Sequence, residues 1–186
     1  MMAVSQQIQS QSLLLRPVGS VADIVIEEAM KYIGTPYKWG GKSPKGFDCA
    51  GFTRYIYGKF GVSLAPYAGG QSHVGKKIKD NEIQKGDLVF YGGRSHNGHI
   101  GHVGIVTSVD SAGFYFIHAS TTLGVCVSSS REPYYRSRYV CACRIIDKVV
   151  TNLPKDTTNN NTDIPVYRQV RFANQPVFNY LNPNGN

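Results

Sequence analysis

Residues 46–61 read Gly46-Phe47-Asp48-Cys49-Ala50-Gly51-Phe52-Thr53-Arg54-Tyr55-Ile56-Tyr57-Gly58-Lys59-Phe60-Gly61. Phe52, Ile56 and Phe60 recur every four residues, which predicts a helix over Cys49–Phe60 with one apolar face and a glycine stop. Asp48 stands at the cap position, where a carboxylate accepts from the first unpaired amides. Cys49 then occupies the first turn, where free amides and the helix dipole favour negative charge. The expected consequence is a thiol pKa lowered from its free value of about 8.5 toward neutrality, the thiolate being the nucleophile. A cysteine filling a core is the plainer alternative. The cap position and the small neighbours Ala50 and Gly51, which leave room for a carbonyl group, argue against it.

Upstream, Val21, Ile24, Val25, Met30 and Ile33 space out an amphipathic helix over Val21–Ile33 that closes on Gly34. Thr35-Pro36-Tyr37-Lys38-Trp39-Gly40-Gly41 follows as a loop with sharp turns. A third helix is expected around Tyr67 to Val74. From Gly86 the pattern changes to short strands rich in β-branched and aromatic residues, at Asp87–Tyr91, His102–Val109, Gly113–His118, Gly124–Ser128 and Tyr139–Ile146. Helices followed by an antiparallel sheet give the α+β class. The 186 residues suit one domain. Residues 1–20, rich in Gln and Ser, read as a lead-in, 21–148 as the domain, and 149–186 as an Asn/Pro-rich arm without its own function.

Two histidines fall on adjacent strands, His102 in Gly101-His102-Val103-Gly104 and His118 in Ile117-His118-Ala119-Ser120. Asp110-Ser111-Ala112-Gly113 between them is a strong turn signal. A hairpin centred near Asp110 sets His102 opposite His118 on one side of the sheet. Each alone would be read as a core histidine satisfied by backbone. With Cys49 they form a nucleophile, a base (His102) and a partner that fixes the base's tautomer (His118). Tyr37 and Trp39 flank the loop before the helix. A Tyr37 hydroxyl could donate to an oxyanion or orient the thiol, and Trp39 could wall a cleft, with aromatic core packing the alternative for both.

His96, His99 and His102 lie three apart, a spacing that raises a metal site. Gly92, Gly93, Gly98 and Gly101 prevent a helix there, three-residue steps do not suit a strand, and no carboxylate is close in sequence. The expectation is therefore no metal and no cofactor, with His96 and His99 on a rim and His73 at the surface or packing a helix. Cys141 and Cys143, two apart on a strand, face one side and pair poorly with each other. They and Cys126 read as core fillers, with a disulfide from Cys126 to one of them the alternative. The formal charge of +8 favours an anionic partner. The cations are scattered without a five-residue run, which argues against nucleic acid. No stretch is long enough to span a membrane. Leu13-Leu14-Leu15 is too short for an export signal core, so the chain is expected either to act inside the cell or to be numbered after a removed signal.

Gly34-Thr35-Pro36-Tyr37, Trp39-Gly40-Gly41, Phe47-Asp48-Cys49-Ala50-Gly51-Phe52, Gly86-Asp87-Leu88-Val89-Phe90, Gly101-His102-Val103-Gly104-Ile105 and Ile117-His118-Ala119-Ser120 resemble the NlpC-type cell-wall cysteine peptidases, in order and spacing, over residues 22–146. The resemblance implies a papain-like α+β fold, with the thiol on a helix against an antiparallel sheet or open barrel. It implies hydrolysis of peptidoglycan stem peptides or muropeptides, typically at the bond between D-γ-glutamate and the diamino acid, in the envelope or outside the cell, with cytoplasmic recycling the alternative. By position, Cys49 is nucleophile, His102 base, His118 the third polar member and Tyr37 the active-site tyrosine. Asp48 matches an acid that recognises a free L-alanine amine. Ala50 stands in the substrate-binding stretch where the family usually has serine, and Leu64-Ala65-Pro66-Tyr67 departs from a Pro-Arg-Thr-like run. An N-acetylmuramoyl-L-alanine amidase and a noncatalytic wall-binding module are the competing readings. Lipid acyl transfer is disfavoured, because in those folds the histidine commonly precedes the cysteine.

Overall fold

The computed structural model describes residues 20–93 and 99–152. Ser20 opens the first helix, α1 (Val21–Met30), through a reciprocal cap: its hydroxyl accepts from the Asp23 amide, and the Asp23 carboxylate accepts from the Ser20 amide at 2.8 Å. The helix ends three residues short of the expected Ile33, which is exposed. Its buried face is Ala22, Val25, Ile26 and Ala29, rotated from the anticipated one. A two-stranded ribbon, β1 (Lys42–Ser43) and β2 (Gly46–Phe47), leads into α2 (Cys49–Gly58). On α2, Phe52 and Ile56 are buried as their spacing demands, and Gly61 takes φ +75° beyond its end.

A short helix, α3 (Ala68–Gln71), precedes the sheet strands β3 (Lys76–Ile78), β4 (Leu88–Gly92), β5 (Ile100–Asp110), β6 (Gly113–Ser120), β7 (Gly124–Ser129) and β8 (Tyr139–Arg144). One turn of helix, α4 (Pro133–Arg136), joins β7 to β8, and α5 (Ile146–Asn152) follows. The six strands run antiparallel in the order β3-β8-β4-β5-β6-β7. The expected strands are all present. The ribbon, β3, α4 and α5 were not anticipated; the strands are too short to show a period. α5 crosses the expected domain boundary at 148, and Val149 is fully buried in the core. The expected lead-in and arm fall, apart from their innermost residues, outside the described residues.

Successive side chains alternate between the faces of the sheet, and here apolar ones cover both. One face (Leu88, Phe90, Val103, Ile105, Ile117, Ala119) packs with Val25 and Ala29 of α1 and Phe52 and Ile56 of α2 in the main core. The other face (Val89, Tyr91, Val106, Phe114, Phe116) packs with Tyr135 of α4. Asp87, fully buried, accepts from Arg144 Nε at 2.8 Å and Nη2 at 2.9 Å, tying the approach to β4 onto the end of β8. All four cysteines are free thiols, which overturns the alternative of a Cys126 disulfide. Cys143 lies in the main core, whereas Cys126 lies beside His118. No described helix is long and apolar enough to cross a membrane.

Candidate active site

Asp48 caps α2 as expected, its Oδ1 accepting from the Gly51 amide at 2.6 Å. The first turn of the helix lies against main chain: a Cβ on Gly51 would stand 2.0 Å from Gly41 O, which also accepts from the Asp48 amide at 2.9 Å. Below the turn, the buried Gln71 carboxamide accepts from Thr53 Oγ1 at 2.6 Å and donates to Ala50 O and Ala65 O, each at 2.9 Å. The helix end that carries Cys49 is thus fixed by backbone on one side and by the Gln71 amide on another. Neither Gln71 nor Thr53 was singled out from sequence, since nothing marks a polar residue as buried until the elements assemble.

The Cys49 sulfur is half-buried and meets β5 on either side of His102: Sγ is 3.9 Å from Gly101 O, and the Val103 amide lies near it. Across the hairpin, His102 Nε2 and His118 Nδ1 are 2.9 Å apart, with the rings edge to face. His102 keeps a little of its surface exposed although its ring lies deep among protein atoms, and His118 is fully buried. The structure therefore brings the three expected residues to one region, but not by the expected register. Ile105 faces Ile117 and Val106 faces Phe116, so the two histidines are diagonal rather than direct neighbours. Asp110 pairs with Gly113, later than anticipated, because the Asp110 carboxylate accepts from the Ala112 and Gly113 amides. That turn alone would put His118 on the opposite face from His102. A bulge between Val106 and Ser108 inserts Thr107 as an unpaired residue and restores the shared face.

Gly104 permits the close approach. A Cβ there would meet Phe116 Cδ2 at 2.6 Å, Ile117 O at 3.0 Å and His118 Cβ at 3.2 Å. Behind His118, Nε2 lies 3.1 Å from Ser128 Oγ, 3.2 Å from Tyr135 Oη and 3.7 Å from Cys126 Sγ. These three contacts were not read from sequence. Cys126 sits opposite His118 on β7 and Ser128 follows on the same face, a relation visible only once the strands are paired.

The electrostatics correct one expectation. Burial, reinforced by the charge of Asp48, pushes the Cys49 thiol up to about 11, although nearby backbone amides pull the other way. The desolvation of the sulfur outweighs the helix terminus. Burial likewise holds His102 down to about 4 and His118 well below the usual histidine value, the neighbouring His102 adding to the effect on His118. At neutral pH these shifts favour a neutral thiol and neutral imidazoles. Either charge alone is disfavoured there, while a thiolate and an imidazolium formed together keep the net charge at zero.

Tyr37 is bridged to Phe47, and its hydroxyl is pushed above the usual tyrosine value by burial, with nearby Cys49 (once ionised) and Asp48 acting in the same direction. Trp39 is 88% exposed on its loop. Ala50 is buried in the main core. His99 is exposed, His73 Nδ1 lies 2.9 Å from Gly69 O, and His96 falls outside the described residues.

Residues 34–144 match the family description NlpC/P60. The chain is 35% identical over 146 residues to the bifunctional muramidase/DL-endopeptidase CwlT of Bacillus subtilis, which covers 76% of this chain and 43% of that protein. It is 37% identical over 125 residues to a probable endopeptidase of Haemophilus influenzae, covering 66% of this chain and 73% of that one. The crystal structure of the NlpC/p60 domain of peptidoglycan hydrolase SagA superposes with a TM-score of 0.57 at 36% identity, over 68% of this chain and all of that one. The motif order of the sequence, the papain-like arrangement of a cysteine-bearing helix on an antiparallel sheet, and these matches agree: the chain belongs to the NlpC/P60 family.

Proposed function

We propose that this protein is a peptidoglycan-hydrolysing cysteine endopeptidase that cuts stem peptides at the bond between D-γ-glutamate and the diamino acid. The observation that carries the reading is the 2.9 Å contact between His102 Nε2 and His118 Nδ1 beside the strand segment that touches Cys49. Relatives described as a DL-endopeptidase and a peptidoglycan hydrolase support the substrate class. An envelope or secreted setting follows from where that substrate lies.

With Nε2 of His102 engaged by His118, Nδ1 is the nitrogen that takes the thiol proton. Cys49 Sγ attacks the scissile carbonyl carbon as that proton moves, so thiolate and imidazolium arise together in the buried site. The Cys49 amide and the Tyr37 hydroxyl donate to the oxyanion. Collapse of the tetrahedral intermediate breaks the C–N bond, and His102 returns its proton to the leaving amine. Water, deprotonated by His102, then attacks the thioester carbon; the acid is released and the thiol restored. Asp48, at the mouth of the helix, carries the charge that suits a free stem amine. Trp39 offers an exposed aromatic surface to the substrate.

The test is mass spectrometry of defined stem peptides and of sugar-linked muropeptides after digestion, with Cys49→Ala alongside. The expected products are an L-Ala–D-Glu fragment and the remaining peptide beginning at the diamino acid, with none from Cys49→Ala. Release of intact stem from sugar would show an amidase instead. Binding to wall without cleavage would show a noncatalytic module.

A further inference from the structure

His118 ends the histidine chain, and something must decide which of its nitrogens carries the hydrogen. A single hydrogen lies between His102 Nε2 and His118 Nδ1. For His102 to accept the thiol proton at Nδ1, that hydrogen must sit on its Nε2, so His118 Nδ1 must accept. A neutral imidazole has one N–H, and on His118 it is then at Nε2, which must donate. In the opposite arrangement groups behind His118 donate to Nε2, both hydrogens shift, and His102 Nδ1 carries a proton that blocks it as a base.

The groups at that nitrogen are Ser128 Oγ, Tyr135 Oη and the sulfur of Cys126, which is a weak acceptor. We propose that Ser128 and Tyr135 are positioning residues whose oxygens accept from His118 Nε2–H and so hold both imidazoles in the tautomer that leaves His102 able to act as a base. The inference rests on the cysteine endopeptidase reading. Both oxygens are placed by rigid elements. Ser128 lies on β7 opposite Phe116. The Tyr135 ring is buried edge-on against Phe116 (4.9 Å between centroids), Tyr91 (5.3 Å) and His118 (5.4 Å).

The polar side chains facing His118 among the described residues are His102 from β5, Cys126 and Ser128 from β7, and Tyr135 from α4, and the Ala119 main chain also lies within reach of the ring. None is a carboxylate. Burial raises the Tyr135 hydroxyl to about 12, so it stays protonated through the neutral range. The end of the chain is therefore neutral. It orients the base through neutral groups, and the carboxylate of Glu132 acts on Tyr135 and Cys126 without touching the ring.

The experiment compares wild type with Ser128→Ala, Tyr135→Phe, the double variant and Ser128→Thr, using nitrogen NMR of the imidazoles and hydrolysis of a defined stem peptide. Tyr135→Phe keeps the ring packing and Ser128→Ala removes one atom, and thermal melts check that each folds. The double variant is expected to move the His118 hydrogen away from Nε2. Its kcat should fall about 10- to 100-fold with KM within about twofold, as for a base held in the wrong orientation. Ser128→Thr should retain most of the rate. An unchanged His118 tautomer in the double variant, or a loss confined to KM, would overturn the inference. A wild type inert toward all stem peptides would instead overturn the endopeptidase reading, with the nitrogen spectrum still deciding the tautomer.

Discussion

Cys49 and Asp48 are adjacent, and at the scale of single residues their charges compete. The carboxylate caps the helix and at the same time makes the neighbouring thiolate less favourable. Asp48→Asn keeps a capping oxygen and removes the charge, so the thiol pKa should fall from about 11 toward its ordinary value. Alkylation of Cys49 by iodoacetamide at pH 8 should then be several-fold faster than in wild type, read by intact-mass labelling rates. Gly104 gives a second prediction. Gly104→Ala puts a methyl within 3.2 Å of His118 Cβ and closer still to Phe116 and Ile117. Overpacking of this kind costs about 1–3 kcal/mol, and the displaced His118 should lower kcat at least about tenfold. Melting curves and steady-state hydrolysis measure the two effects separately. The identities of Cys49, His102 and His118 were legible in sequence because each sits in a patterned segment. The reversal of the thiol shift was not, because burial is not a property of a residue's neighbours in the chain.

At the scale of elements, the fold's task is to hold the first turn of α2 against β5. The cap, the Phe52 and Ile56 stripe and the terminal glycine were readable because a helix is a local object with a fixed period. What seats the helix is not local. Gly51 allows contact with Gly41 main chain, and Gln71 reaches in from α3. Gly51→Ala would set a Cβ 2.0 Å from a carbonyl oxygen that is itself held in the turn, so the whole first turn must move. The expected outcome is a loss of about 2–4 kcal/mol in urea melts together with loss of hydrolysis, although alanine is the better helix former. A variant that gained stability would show that the turn is not seated there. The hairpin makes the same point from the other side of the site. Its strands were visible as alternating segments, but Thr107 carries no mark that it will bulge.

Across the whole molecule, burying the two imidazoles links the site to stability. The His102 pKa is about 4 when folded against about 6.5 unfolded. Above pH 6.5 the group is neutral in both states and adds no pH dependence. As pH falls from 6.5 to 4, the unfolded chain binds a proton that the folded one refuses, so stability declines by about 3 kcal/mol from this residue. His118 acts in the same direction. Urea midpoints at pH 7 and pH 4.5 should show this loss, and His102→Gln should reduce it. A wild type equally stable at both pH values would contradict the burial of the pair. The amino-acid sequence by itself determined the order of helices and strands, the cysteine at a capped helix start, and the two histidines on neighbouring strands, because periodicity, capping and turn chemistry act over a few residues. Only the tertiary structure decided that a one-residue bulge turns His118 toward His102, that desolvation overrides the helix terminus at Cys49, and that Ser128 and Tyr135 close the chain behind the rings. Register and dielectric depend on which distant segments meet, and that meeting is settled by packing the whole sheet at once.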